Sequence, residues 1–268
     1  MPFNIRNGSV KLGDSVMYYA SFGSGQKKLI ILPGLSDGLA TVKGKALLLA
    51  APYRKYLNDF TVLMFSRKEP LPETYTIREM AADQAAAMEQ LGMEKACVLG
   101  VSQGGMIAQY LAIDHPELVE KLVLAVSAPR ADDLVRSNVE KWTGFAKDGD
   151  HKSLMIDTAE KSYSEAYLKK YRKLYPVIGA VGKPADYGRF LSNAGAILSF
   201  DAYDELDRIS CPVLIIAGSD DKIAGVEASF RMHERIAGSE LFVYEGLGHA
   251  AYEEAADFNG RVFASLQR

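Results

Sequence analysis

Two kinds of patterning alternate along most of the chain. Phe3 to Val10 and Val16 to Phe22 flank Lys11-Leu12-Gly13-Asp14, which predicts an opening β-hairpin. Beyond Gly23-Ser24-Gly25 come short, nearly continuous apolar runs: Leu29–Leu32, Thr61–Phe65, Cys97–Val101, Leu122–Val126, Val213–Ala217 and Leu241–Tyr244. Such runs fit strands covered on both faces, a property of parallel sheets. Between them, Ile77 to Leu91, Gln103 to Ile113, Val226 to Ile236 and Ala250 to Leu266 read as helices, with Gly92 a stop for the first. The alternation predicts an α/β fold with a doubly wound, mostly parallel sheet behind an N-terminal β-hairpin.

The rhythm breaks between Pro129 and Ser199. There the sequence turns polar, with Lys-rich helical stretches at Ala131–Lys147, Ser153–Tyr175 and Pro184–Leu198 and no convincing strand. The strand-helix pattern resumes at Cys211-Pro212. The expected organisation is one core, residues 1–128 and 200–268, carrying a helical lid over 129–199 whose two ends return to the same sheet.

Charge and composition narrow the function classes. Lys and Arg number 31 against 34 Asp and Glu, for a formal net charge of −3, and no basic run suggests nucleic acid as a partner. The longest apolar runs, such as Ala46 to Ala51, fall far short of the roughly 18 residues that span a bilayer. Two cysteines, Cys97 and Cys211, cannot build a disulfide scaffold and read as buried free thiols. The opening residues lack an apolar leader core, so the expected address is the cytoplasm, as a monomer or homodimer.

Candidate chemistry lies at strand ends. Gly100-Val101-Ser102-Gln103-Gly104 follows an apolar run and leads straight into an apolar helix. A strand passing directly into a helix needs a tight turn with a strained apex, and small residues two positions either side let the two elements close. Ser102 then stands above the sheet at a helix N-terminus, where developing negative charge is favoured. Gly34-Leu35-Ser36-Asp37-Gly38 matches the same spacing, but Pro33 precedes it and a poor helix start follows. The context therefore selects Ser102 over Ser36 as a nucleophile.

A serine hydroxyl needs a base, and the base needs a third group to orient it. Of four histidines, His115 reads as a helix cap, His151 as part of a polar turn and His233 as a helix residue. His249 lies in a glycine-flanked loop, Glu245-Gly246-Leu247-Gly248-His249, after the last apolar run. That is where a doubly wound sheet gathers its ligands. The run Val213–Ala217 ends in Gly218-Ser219-Asp220-Asp221, and either aspartate could accept from His249.

With serine, aspartate and histidine in this order, the chain resembles the α/β-hydrolase superfamily over about residues 3 to 128 and 205 to 268. The resemblance implies Ser102, Asp221 and His249 as catalytic residues, favouring Asp221 by its distance from Gly218. It also implies an oxyanion hole from the backbone N–H groups of Leu35 and Gln103. Two departures stand out: Pro33-Gly34 replaces the family's usual His-Gly, and Ser66-Arg67-Lys68-Glu69-Pro70 replaces its usual Asp-x-Arg-Gly-x-Gly. The implied activity is cofactor-free and metal-free hydrolysis of small or medium, partly apolar carboxylic esters through an acyl-enzyme. A carbon–carbon bond hydrolase of β-diketone-like acids, and a slow-turnover small-molecule receptor, share the same residue set. Within the insertion, Tyr163, Tyr167 and Tyr171, spaced by four, and Trp142 are candidates for an aromatic wall over the substrate.

Overall fold

A computed structural model describes residues 4–72, 74–179 and 182–268. Among these, eight strands form one sheet: β1 (Arg6–Leu12), β2 (Ser15–Phe22), β3 (Lys27–Leu32), β4 (Phe60–Phe65), β5 (Ala96–Val101), β6 (Val119–Ala125), β7 (Val213–Gly218) and β8 (Glu240–Tyr244). Their order is β1-β2-β4-β3-β5-β6-β7-β8. The first two pairings in that order are antiparallel and the remaining five parallel. The apolar runs therefore became the strands, most of them one or more residues longer. The hairpin differs in register from expectation: Lys11 and Leu12 remain in β1, and only Gly13-Asp14 turn, with Gly13 at φ +59°. A two-residue loop of that hand matches the twist of the flanking strands. Phe3, placed in the first strand by the sequence reading, lies outside the described residues.

The period-two alternation of strand side chains splits the core in two. Ile30, Leu32, Val98, Leu122, Leu124 and Ile215 face one cluster, while Leu29, Ile31, Cys97, Leu99, Val123 and Ile216 face the other. The first is covered by α2 (Ile77–Gln90), α3 (Gln103–Asp114) and α9 (Val226–Arg235), and the second by α1 (Ala46–Ala50) and α11 (Phe258–Gln267). Helix α2 begins on a capping box in which Thr76 and Glu79 satisfy each other's backbone N–H groups. Burial pushes the Cys97 thiol up to about 12, while Cys211, free like Cys97, is only half-buried two residues before β7. The stretch from Ala250 to Leu266 is two helices, α10 (Ala251–Glu254) and α11, separated at Ala255, whose backbone is extended. The break lets α10 dock on the insertion while α11 buries Phe258, Val262 and Leu266 under the sheet.

Between β6 and β7 the described chain is helical: α4 (Asp133–Lys147), α5 (His151–Ser162), α6 (Glu165–Tyr171), α7 (Tyr175–Ile178) and α8 (Gly188–Leu198). The single helix expected over Ser153–Tyr175 is interrupted at Tyr163–Ser164, because Ser164 turns extended and caps a new helix through Tyr167 N–H. His151 is buried at the start of α5 rather than held in a polar turn. No helix among the described residues is long and apolar enough to cross a membrane.

Candidate active site

Strand β5 is buried at every residue and runs into α3 with Ser102 alone between them. Ser102 sits at φ +52°, ψ −119°, a conformation that L-residues avoid and that costs on the order of 1–3 kcal/mol. The surroundings hold it there. Its N–H donates to Ala125 O of β6 (2.9 Å), and its carbonyl accepts from Gly105 N–H (2.8 Å) and the Ser127 hydroxyl (2.9 Å). The flanking glycines are required by space: a Cβ on Gly100 would lie 2.5 Å from Gly104 O, and one on Gly104 would lie 1.9 Å from Leu32 O.

His249, from the loop after β8, places Nε2 2.9 Å from Ser102 Oγ and Nδ1 2.8 Å from Asp221 Oδ2. A carboxylate can only accept, so Nδ1–H donates to Asp221 and the neutral ring leaves Nε2 to accept the Ser102 hydroxyl. Asp221 follows β7 by three residues, and its other oxygen accepts from the N–H groups of Ile223 (2.8 Å) and Ala224 (2.9 Å). Burial alone would raise this carboxyl. The adjacent His249 and the two backbone donors outweigh burial and hold it below its ordinary value. Asp220 is exposed and bonds Ser219, so the geometry joins Asp221, and not Asp220, to the histidine.

Leu35 and Gln103 each open a helical segment, a four-residue 3₁₀ turn (Leu35–Gly38) and α3 respectively. First-turn N–H groups have no acceptor within their own helix. The two segments flank the point between β3 and β5 where the strand order reverses, the place where open α/β sheets receive ligands. Gly34 brings them together: a Cβ there would stand 3.3 Å from Ser102 Cβ. Ser36 is exposed on the 3₁₀ turn. The other histidines lie in other settings, His115 capping α3 and His233 bonding Ser239. Among the described residues no group of three or more His, Cys, Asp or Glu side chains is placed to hold a metal ion.

The family model for the alpha/beta hydrolase fold matches residues 29–256. The chain belongs to this family. A protein of Caulobacter sp. strain K31, provisionally named carbamate hydrolase RutD, is 25% identical over 87% of this chain and 89% of its own. A 3-oxoadipate enol-lactonase of Acinetobacter baylyi is 24% identical over 95% of this chain and 94% of its own. Among solved structures, a hydrolase from Pseudomonas aeruginosa superposes with a TM-score of 0.83 at 22% identity, covering 99% of both chains.

In this α/β-hydrolase, four residues unclaimed by the sequence reading close around the site. Arg67, which follows β4, is 3% exposed and donates from Nη2 to Pro33 O (2.7 Å) and to Gln103 Oε1 (2.9 Å). Burial lowers the basicity of its guanidinium, and Asp37 beside it works the other way. Asp37 Oδ2 accepts from Arg67 N–H (3.0 Å) and from Arg189 Nη2 (2.6 Å), the latter on α8. Gln103 Nε2 donates to the Asn193 carbonyl of α8 (2.7 Å). The one available signal was the pair of departures from the family pattern, Pro33 and Arg67, which turn out to bond one another.

The insertion tyrosines form a ladder. Tyr163 and Tyr167 stack at 4.3 Å between centroids, and Tyr167 and Tyr171 at 4.2 Å. With Leu168, Leu174, Tyr175 and others they line a cavity of about 300 Å³, of which Ser102 is not a lining residue. Trp142 is not part of that wall: it is buried in the core, with Nε1 donating to Asp157 (2.8 Å). The ladder abuts the histidine loop, since Ser162 O accepts from Ala250 N–H (2.8 Å) and Tyr163 donates to Glu253 (2.5 Å).

Proposed function

We propose that this hydrolase cleaves carboxylic esters, lactones included, through an acyl-enzyme on Ser102. The observation that carries the reading is the continuous hydrogen-bonded chain from Ser102 Oγ through His249 to Asp221, with its serine strained outward at a helix N-terminus. The enol-lactonase relative adds to it, because a lactone is an internal ester.

Ser102 Oγ attacks the ester carbonyl as His249 Nε2 takes its proton, and Asp221 stays ionised against the imidazolium. The carbonyl oxygen, now negative, receives the N–H groups of Leu35 and Gln103, an interaction worth several kcal/mol because it strengthens as charge develops. His249 then returns the proton to the departing alkoxide. A water, deprotonated by the same nitrogen, attacks the acyl carbon and frees Ser102. The helical insertion, residues 129–199, acts as a lid over the site, with the tyrosine ladder as an apolar surface for part of the substrate.

The test is the intact mass of the protein after treatment with a fluorophosphonate, beside its Ser102→Ala variant, followed by turnover of p-nitrophenyl esters of graded chain length. A single adduct on the wild type, absent from the variant, is the expected result. An adduct that survives the substitution would move the nucleophile away from Ser102.

A further inference from the structure

The two N–H groups read above as oxyanion donors sit on different elements, one after β3 and one at the start of α3. Nothing in either element by itself sets the gap between them. Yet such donors work only when both lie within about 2.7–3.1 Å of the developing oxyanion. One guanidinium nitrogen spans the gap: Arg67 Nη2 reaches Pro33 O, two residues before Leu35, and Gln103 Oε1, the side chain of the second donor residue. Resting on that reading of the site, we propose that Arg67 is a positioning residue that fixes the spacing of the two donors. Asp37 and Arg189 extend this clamp to the insertion.

Further hydrogen bonds brace the clamp from both sides. Arg67 N–H and Arg189 Nη2 both donate to Asp37 Oδ2, and Arg189 Nε donates to Asp37 O (3.0 Å), pinning the 3₁₀ turn that Leu35 opens. Arg189 also binds the carbonyls of Arg67 (2.8 Å) and Lys68 (2.9 Å), fixing the backbone from which the Arg67 side chain springs. On the other donor, Gln103 is held between Arg67 and Asn193 O. Phe190 packs so closely on this turn that a Cβ on Gly38 would stand 2.8 Å from its Cα. Helix α8 thus holds both donor segments at once. The planar guanidinium suits the post because it presents donors in a fixed fork, which an ammonium cannot do.

A residue that sets donor geometry acts on the transition state and leaves ground-state binding alone, and this separates it from a residue that merely stabilises the fold. The experiment compares wild type, Arg67→Met, Arg67→Lys and Arg189→Met with p-nitrophenyl acetate as substrate, counting active sites by fluorophosphonate titration. The inhibition constant of an alkyl trifluoromethyl ketone, whose adduct on serine carries an oxyanion, is measured in parallel. Arg67→Met is expected to lower kcat per labelled site by about 10² to 10³, the loss seen on removing one donor, with KM within about threefold. The trifluoromethyl ketone should weaken by a comparable factor, with Arg67→Lys intermediate and Arg189→Met down by about tenfold. A folded Arg67→Met protein whose kcat per labelled site stays within about threefold overturns the proposal, as does a kcat loss without weaker ketone binding. If Arg67→Met fails to fold, Arg189→Met, at the partly exposed end of the clamp, decides by the same two readouts. Absence of both label and turnover in the wild type would instead bring down the Ser102 reading, and the clamp with it.

Discussion

Gly34-Leu35-Ser36-Asp37-Gly38 and Gly100-Val101-Ser102-Gln103-Gly104 share a spacing and follow adjacent parallel strands, yet they fold differently. In the second, β5 ends at Val101, one residue before the serine, so the serine itself must turn the chain and takes a positive φ. In the first, β3 ends at Leu32, and Pro33-Gly34 carry the chain away from the sheet with Gly34 at φ −72°. Its serine then lies three positions further from the strand end, exposed on a 3₁₀ turn. The place where the strand stops, more than the glycine spacing, decides which serine is lifted over the sheet. The two segments meet all the same: each provides one proposed oxyanion donor, and the first also provides Asp37.

Removing each hydroxyl sharpens the comparison most. Ser102→Ala should lower kcat on the order of 10⁴ to 10⁶-fold, whereas Ser36→Ala should change it by no more than about twofold. Comparable losses in the two would dissolve the distinction. Next come the acids: Asp221→Asn should cost about 10⁴-fold in kcat by fixing the wrong imidazole tautomer, and Asp220→Asn close to nothing. Equal kinetics for the two aspartate variants would contradict the Asp221–His249 pairing.

The glycines probe the turns themselves. Gly104→Ala forces a Cβ to 1.9 Å from a backbone carbonyl of β3, so urea denaturation should show a loss of about 3 kcal/mol or more, or no folded protein. Gly34→Ala meets Ser102 Cβ at 3.3 Å and Val101 O at 3.4 Å, with ordinary φ, and should cost about 1 kcal/mol or less while lowering kcat through the serine it touches. A reversal of that ranking would mean that the second turn is not the tighter one.

The smallest effect concerns acid. The folded Asp221 carboxyl is held below its usual value, and in the unfolded chain it titrates near about 3.9. Its contribution to stability is present above that unfolded value and disappears as pH falls through the folded one. The urea midpoint of Asp221→Asn should therefore fall less steeply than that of the wild type below about pH 4, and the Asp220→Asn midpoint should follow the wild type.

What the sequence made legible follows from physics that acts locally. An all-apolar run stays a strand because both of its faces are covered, so β3 through β7 lay close to their apolar runs. The serine turn was readable because two steric demands, at Gly100 and Gly104, fall at fixed spacing. The Arg67–Asp37–Arg189 clamp was hidden for the opposite reason. Its charges come from three distant segments, and a charged residue in a sequence reads as solvated until the fold shows it buried. The insertion misled in another way: Tyr167 and Tyr171 share α6, but Tyr163 lies across the break at Ser164, so ring stacking and not a continuous helix brings it into line.

The insertion is stitched to the core at three seams: Asp132 and Asn138 against Arg231 and the Lys222-Ile223 backbone beside Asp221, Ser162 to Ser164 against α10, and Arg189 to Asn193 against the Leu35 and Gln103 segments. For anyone recombining hydrolases, this divides the insertion into parts of unequal freedom. A chimaera that exchanges all of 129–199 removes the insertion's bonds to Asp37, Gln103, Arg231 and Ala250 together, so it should lose chemistry along with specificity. An exchange confined to 165–179 leaves all three seams intact and replaces most of the tyrosine-lined cavity. On the proposed reading of the site, substrate range can drift in that segment while Ser102, His249 and Asp221 stay registered.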